Sequence, residues 1–271
     1  MPELPEVETI RYYLDHVLPG QTVQSVLHID PRMVKTGSLP AEEIARRLPG
    51  HVVKSIKRRG KFLFLEWETH EHLLIHLGMS GRLIWIQNQE PWALHTHVVL
   101  GFDQNQLRLI DPRRFGRIGW IDAGDDLVPH LGMEPLSSQL TSQFLSQRLQ
   151  GRQAPIKSLL LNQSIIAGLG NIYVDESLFR AKIRPDRPGG SLDLREIKRL
   201  IRSIRMVLQE AIEHRGTSFS DYVDALGHPG QNQDYLMVYG RNQADCRVCG
   251  QPIVTKVIQG RTSHFCLHCQ K

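Results

Sequence analysis

The feature that constrains this chain most is the placement of its cysteines. All four lie in the last 26 residues, as Cys246-x2-Cys249 and Cys266-x2-Cys269 with 16 residues between the pairs, and the first 245 residues contain none. In a reducing compartment two close pairs of this kind read as a metal site, not as disulfides. Each Cys-x2-Cys turn presents two thiolates to one tetrahedral ion, and a hairpin of this length brings the two turns together. A redox dithiol is the alternative chemistry for such pairs. Four thiolates leave no coordination position for water, so the expected cofactor is a single structural Zn2+ and a catalytic metal is excluded on ligand count.

The remaining chain must fold around apolar cores, and at 271 residues it is long enough for about two modules. Leu4, Val7, Ile10, Leu14, Val17 and Leu18 recur at steps of three and four, which predicts an amphipathic helix over residues 3–18, ended by Pro19-Gly20. Short apolar runs at 52–56, 62–67, 73–77, 83–86, 98–102, 107–110 and 117–121, separated by turn residues, predict strands of a sandwich or barrel. Helical periodicity takes over near 141–150, 155–161, 171–181 and 193–215, with Gly216 placed to cap the last. Residues 217–238 lack periodicity and predict a long loop. There is no repeat or low-complexity tract.

Charge and targeting narrow the partners. Lys and Arg exceed Asp and Glu by 5, and Lys57-Arg58-Arg59-Gly60-Lys61 concentrates that surplus. This favours a polyanion, although many proteins with such a surplus bind no nucleic acid. No apolar run reaches membrane-spanning length, and Glu3, Glu6 and Glu8 occupy the start, where a secretory signal needs basic and then apolar residues. A soluble intracellular protein without a membrane partner is the expectation.

Two places invite chemistry. Removal of Met1 leaves Pro2 as a free secondary amine, and a terminal amine titrates near about 8, against about 10.4 for lysine, so more of it is nucleophilic at neutral pH. Attack on a sugar C1′ would form an iminium, the electron sink for eliminating the 3′ phosphate, and the adjacent Glu3 could move the protons. Without that chemistry, Pro2 is the kind of residue that opens a helix at its first position. Between the cysteine pairs, Lys256, Arg261, Thr262, Ser263 and His264 would stand on the hairpin turn, where they could hold phosphates or simply be solvated. Lys61 precedes an apolar run, and by chemistry alone an acid and a phosphate anchor are equally open to it.

Pro2-Glu3-Leu4-Pro5-Glu6-Val7-Glu8-Thr9 closely resembles the opening of the bacterial formamidopyrimidine-DNA glycosylases. So do Arg59-Gly60-Lys61-Phe62-Leu63, Ile75-His76-Leu77-Gly78-Met79-Ser80-Gly81, Asp111-Pro112-Arg113-Arg114-Phe115-Gly116, Gly168-Leu169-Gly170-Asn171-Ile172-Tyr173-Val174-Asp175-Glu176, Val238-Tyr239-Gly240-Arg241 and the cysteine hairpin. These motifs span the chain in order. The resemblance implies an α+β, multidomain fold: a catalytic β-sandwich domain with a leading helix (1–130), a helix-two-turn-helix DNA-binding domain (131–225), a linker (226–240) and a zinc-finger β-hairpin (241–271). It implies a monomeric, cytoplasmic, nucleoid-associated DNA glycosylase and AP lyase acting on duplex DNA that carries oxidised purines.

By the same resemblance Pro2 is the Schiff-base nucleophile, Glu3 the proton donor and acceptor, Lys61 an acid in β-elimination and Arg261 an acid in δ-elimination. Met79, Arg113 and Phe115 match the residues that fill the void left by an extruded nucleotide, a task for which two apolar wedges and a hydrogen-bonding cation are suited. Read without the resemblance, Met79 and Phe115 would be core residues and Arg113 a surface ion-pair partner. Asn171 at a helix start is expected to touch the DNA backbone, and His95, Arg152 and Lys157 match further DNA-contacting positions. Ser220 departs from the family, since some members carry there a lysine implicated in contacting the flipped base. The alternatives are an endonuclease VIII-type enzyme for oxidised pyrimidines, which Leu4, Met79 and Arg113-x-Phe115 disfavour, and a non-catalytic zinc DNA-binding protein, which leaves Pro2, Glu3 and Lys61 without a task.

Overall fold

Helix α1 (Leu4–Val17) forms where the apolar stripe predicts it, with Leu4, Val7, Ile10 and Leu14 buried. Glu3 is its N-cap and Glu6 its N3 residue, and the Glu6 carboxylate accepts the Glu3 N–H at 2.8 Å, which satisfies a donor that a helix start leaves open. Pro5 falls in the first turn, where its missing N–H costs nothing. Pro2 stands before the cap, outside the helix. The computed structural model describes every residue except Leu127 and Ser220, so the expectation about Ser220 lies outside the described residues.

Two antiparallel four-stranded sheets follow. One has the order β2 (Val53–Arg59), β3 (Phe62–Trp67), β4 (His72–His76), β8 (Arg117–Ile121); the other runs β1 (Ser25–Ile29), β6 (Thr96–Gly101), β7 (Asn105–Ile110), β5 (Arg82–Gln87). Leu63, Leu65, Trp67, Leu73 and Ile75 from the first sheet share one apolar core with Leu83, Val98, Leu100, Leu107 and Leu109 from the second and with the α1 stripe, the arrangement of a sandwich. Two elements escaped sequence reading. Strand β1 lies at a sheet edge, has no alternation of buried and exposed residues, and carries a register irregularity between Val26 and His28. Helix α2 (Ala41–Arg47) is seven residues long and buries only Ala41 and Ile44, too short for a repeat to show.

The chain packs as two compact units, Met1–Pro129 with His214–Gln233, and His130–Glu213 with Asp234–Lys271. Residue 225, expected as a domain boundary, lies inside the first unit. The reason is local: Glu6 Oε1 accepts the Thr217 N–H at 2.7 Å, Ala225 C=O accepts from Trp85 N–H at 2.9 Å, and Tyr222 and Ala225 belong to the sandwich core.

In the second unit, α3 (Ser142–Leu149), α4 (Ile156–Leu161), α5 (Asn171–Arg180) and the 20-residue α6 (Leu194–Glu213) precede the hairpin β9 (Val254–Ile258) and β10 (Arg261–Phe265). Gln163 shapes the α4–α5 connection: its amide donates to Leu161 and Leu169 carbonyls and accepts the Gly168 N–H. The expected linker is anchored at its end, where buried Glu176 accepts the N–H groups of Met237, Val238 and Tyr239 at 2.8–2.9 Å. Burial raises the Glu176 carboxyl above its ordinary range, and those three donors oppose the rise. No helix among the described residues is long and apolar enough to cross a membrane.

Candidate active site and nucleic-acid interface

The start of α1 and the β2–β3 turn carry the first cluster. Pro2 and Glu3 are both buried. Arg58 Nε pairs with Glu8 Oε2 at 2.7 Å and its Nη1 donates to the Gly60 carbonyl at 3.1 Å. That clamp ties the turn bearing Lys61 to the first part of α1, and Gly60 supplies the positive φ (58°) the turn requires. Lys61 itself is buried.

His76, which sequence reading did not single out for a role, faces the same turn. It is opposite Phe62 in the β3–β4 register, with ring centroids 4.6 Å apart. Burial, then the like charges of Lys61 and Arg117, push its imidazolium down to about 4. The ring is therefore neutral at pH 7. Its Nδ1 accepts the Gly78 N–H at 3.2 Å, which leaves the ring proton on Nε2 and makes that nitrogen a donor. The signal available in the sequence was its apolar flanks, Leu73 to Leu77, which mark a half-buried histidine.

Met79, Arg113 and Phe115 come together on two adjoining loops. Met79 is 40% and Phe115 52% exposed, values a core residue does not show, and Arg113 is exposed with no ion pair among the described residues. Gly78 lies so close to the second loop that a Cβ there would sit 2.4 Å from the Phe115 carbonyl carbon. His95 is exposed, and its carbonyl accepts the Asp111 N–H at 3.0 Å.

In the second unit the hairpin turn is Gln259-Gly260, both at positive φ (44° and 76°), which suits a two-residue connection between twisted strands. Residues 261–264 are thus on β10 and not on the turn itself, and Arg261 is the exposed first residue of that strand. Asn171 opens α5 and donates through Nδ2 to the Thr262 carbonyl at 3.1 Å, while its buried Oδ1 has no partner among the described residues. Arg152 is exposed on the turn after α3.

Lys157 is a correction. Its side chain is 0% exposed, and Nζ donates to Asp175 Oδ1 at 2.7 Å and to the Thr262 carbonyl at 2.9 Å. The other Asp175 oxygen accepts the His264 N–H at 2.8 Å. An ammonium held in this way has no face to offer a phosphate; it fixes β10 against α5 instead. The ion pair joins positions 18 apart and the carbonyl bond positions 105 apart, so the local sequence held no sign of it.

The four cysteine sulfurs lie within 4.8 Å of one another, with Cys246–Cys269 at 3.9 Å and Cys249–Cys266 at 3.5 Å. A tetrahedron with metal–sulfur bonds of about 2.3 Å has edges of about 3.8 Å, so the set fits one zinc ion. The Cys269 N–H points at Cys266 Sγ (3.5 Å), and the Gln270 side chain spans from Cys266 N–H to the Ile183 carbonyl. These contacts orient the thiolates from outside the site.

Comparison with known families agrees across the chain. Residues 1–118 match the formamidopyrimidine-DNA glycosylase N-terminal domain, 131–223 its H2TH domain, and 246–271 the zinc finger found in FPG and IleRS. The chain belongs to the formamidopyrimidine-DNA glycosylase family. Relatives of that name from Pelotomaculum thermopropionicum and Syntrophomonas wolfei are each 44% identical, over all of this chain and 99% and 100% of theirs. Among solved structures, a Lactococcus lactis FPG point mutant in complex with Fapy-dG-containing DNA superposes with a TM-score of 0.93 at 36% identity, covering 100% of both chains. The Lactococcus lactis Fpg bound to abasic-site DNA gives 0.92 at 37%, covering 99% of each. Members of this family are DNA N-glycosylases with AP lyase activity, and this chain is such an enzyme, with one structural zinc.

Proposed function

We propose that the enzyme excises oxidised purines, 8-oxoguanine and formamidopyrimidines, from duplex DNA as a monomer in the bacterial cytoplasm, in association with the nucleoid, and then cuts the strand by β,δ-elimination. The observation that carries this reading is the chain start: Pro2 precedes the helix cap and is buried beside Glu3, on a helix whose Glu8 is clamped by Arg58 to the turn that holds Lys61. In this reading the Pro2 nitrogen, freed by loss of Met1, attacks C1′ as the C1′–N bond to the base breaks, and the C1′–O4′ bond then opens as Glu3 passes a proton to O4′, which leaves C1′ as an iminium. The resulting iminium acidifies the C2′ proton, whose loss expels the 3′ phosphate with Lys61 as acid. A second elimination expels the 5′ phosphate, assisted by Arg261.

Met79 and Phe115 fill the vacated stack and Arg113 reads the orphaned base, while His95, Arg152 and Asn171 hold the backbone by salt-sensitive contacts. Zinc held by Cys246, Cys249, Cys266 and Cys269 supplies folding stability to the hairpin and takes no part in bond breaking. By task, residues 1–130 are catalytic, 131–225 bind DNA, 226–240 link and 241–271 form the zinc finger, a division that crosses the packing units at His214–Gln233.

Borohydride trapping on duplexes containing 8-oxoguanine or an oxidised pyrimidine tests this. The expected result is a covalent adduct on the purine lesion, strongest opposite cytosine, and its loss in Pro2→Gly with DNA binding retained. Adducts on the pyrimidine alone would establish the endonuclease VIII-type alternative, and no adduct at all a non-catalytic binding protein. Mass spectrometry of active protein still bearing Met1 would overturn the nucleophile.

A further inference from the structure

We infer that Asp111 is a positioning residue that fastens the Met79 loop and the Arg113–Phe115 loop into one wedge. It is 0% exposed and takes part in no ion pair among the described residues. A carboxylate buried without a counter-ion is costly unless donors surround it, and here each donor comes from a loop that the proposed function places against DNA. Oδ1 accepts the Ser80 hydroxyl at 2.6 Å, from the residue after Met79, and the Arg113 N–H at 3.3 Å. Oδ2 accepts the Gly116 N–H at 2.7 Å, from the residue after Phe115.

The Asp111 backbone extends the bracket. Its N–H reaches the His95 carbonyl at 3.0 Å, its carbonyl accepts the Arg114 N–H at 3.2 Å, and His97 Nε2 lies 3.1 Å from the same oxygen. Arg114 is held at φ 55°, a conformation disfavoured for a residue with a Cβ, between the two side chains that project outward. Gly78 at φ 62° allows the backbones of the two loops to touch. Three segments separated in sequence thus meet at one residue, the Met79 loop at its carboxylate and the 95–97 segment at its backbone. The consequence is mechanical: Met79, Arg113 and Phe115 enter the duplex together or not at all, so reading of the orphaned base is coupled to filling of the void.

This inference rests on the void-filling roles proposed for Met79, Arg113 and Phe115, and the experiment separates the two. Ser80→Ala removes the one hydroxyl bridge between the loops, Asp111→Ala removes the whole bracket, and Asp111→Asn retains an acceptor for Gly116 and a donor for the Ser80 oxygen. Each is assayed on 8-oxoguanine opposite cytosine and opposite adenine in duplex DNA, and on an abasic site in a single strand, where no stack must be filled. The expected result for Ser80→Ala is a loss of about tenfold in kcat/KM on the duplex lesion, with reduced preference for cytosine and unchanged trapping on the single strand. Asp111→Ala loses more and Asp111→Asn recovers most of it. Equal losses on both substrates would mean general damage to the fold and overturn the inference, as would wild-type discrimination in Ser80→Ala and Asp111→Ala together. Met79→Ala and Phe115→Ala serve as the control: if they leave duplex activity intact, the void-filling reading itself fails.

Discussion

Replacing Lys157 by Met distinguishes a buried strut from a phosphate contact. The ammonium lies 2.7 Å from Asp175 Oδ1 with both side chains 0% exposed, so removing it strands a buried carboxylate that still accepts from His264. Breaking a buried pair in this way costs about 3–5 kcal/mol, which for a unit of this size lowers the melting midpoint by on the order of 10 °C. Asp175→Asn alone should cost a similar amount. The double variant should cost less than the two added together, because neither partner is then left charged. Urea and thermal unfolding measure these terms. The second readout is the salt dependence of DNA binding: a lysine that neutralised a phosphate would lower the slope of log K against log salt by about 0.9 when removed, whereas the buried lysine should leave that slope unchanged at temperatures where the variant is folded. A stability loss under about 1 kcal/mol together with the reduced slope would refute the buried-strut assignment.

Three further outcomes follow from other sites. His76 is depressed from 6.5 to about 4, so the unfolded chain binds more protons between those values; its stabilising contribution is full above pH 6.5, declines by about 3 kcal/mol as pH falls to 4, and levels below. His76→Asn should flatten that window in pH-dependent unfolding, and an unchanged profile would contradict a half-buried ring held neutral. Strong chelation should release one zinc per chain and render residues 246–271 sensitive to protease while the sandwich core remains folded, since among the described residues the finger's apolar cluster holds only Phe179, Val238, Ile253 and two cysteines besides partly buried neighbours; a protected apo finger would count against that. Gly78→Ala places a Cβ 2.4 Å from the Phe115 carbonyl carbon at φ 62°, and should cost about 1–3 kcal/mol in unfolding measurements and impair duplex lesions more than single-strand abasic sites.

What could be read from the sequence was what depends on local repeats or on residue chemistry. The α1 stripe, the apolar runs that became β2 to β8, the long α6 and the cysteine spacing each encode their element within a short window. The edge strand β1 and the two-turn α2 gave too few buried positions to form a period. Site residues at motif positions were found by type, but their environment was not. Lys157 and Arg261 look alike in sequence, and only the fold separates an enclosed ammonium from an exposed guanidinium. Asp111 and Ser80, 31 positions apart, carry no sequence sign that they meet, because the bond arises from two loops folding onto the same sheet end.

The return of His214–Gln233 to the first unit bears on biosynthesis. A ribosome adds roughly 5–20 residues per second, so the sandwich waits several seconds, while the helical half is being made, before Tyr222 and Ala225 arrive to complete its interior and Thr217 closes on Glu6. A nascent chain stopped after Pro129 holds every strand of the sandwich yet lacks these seals, and should be bound by chaperones until translation passes residue 233.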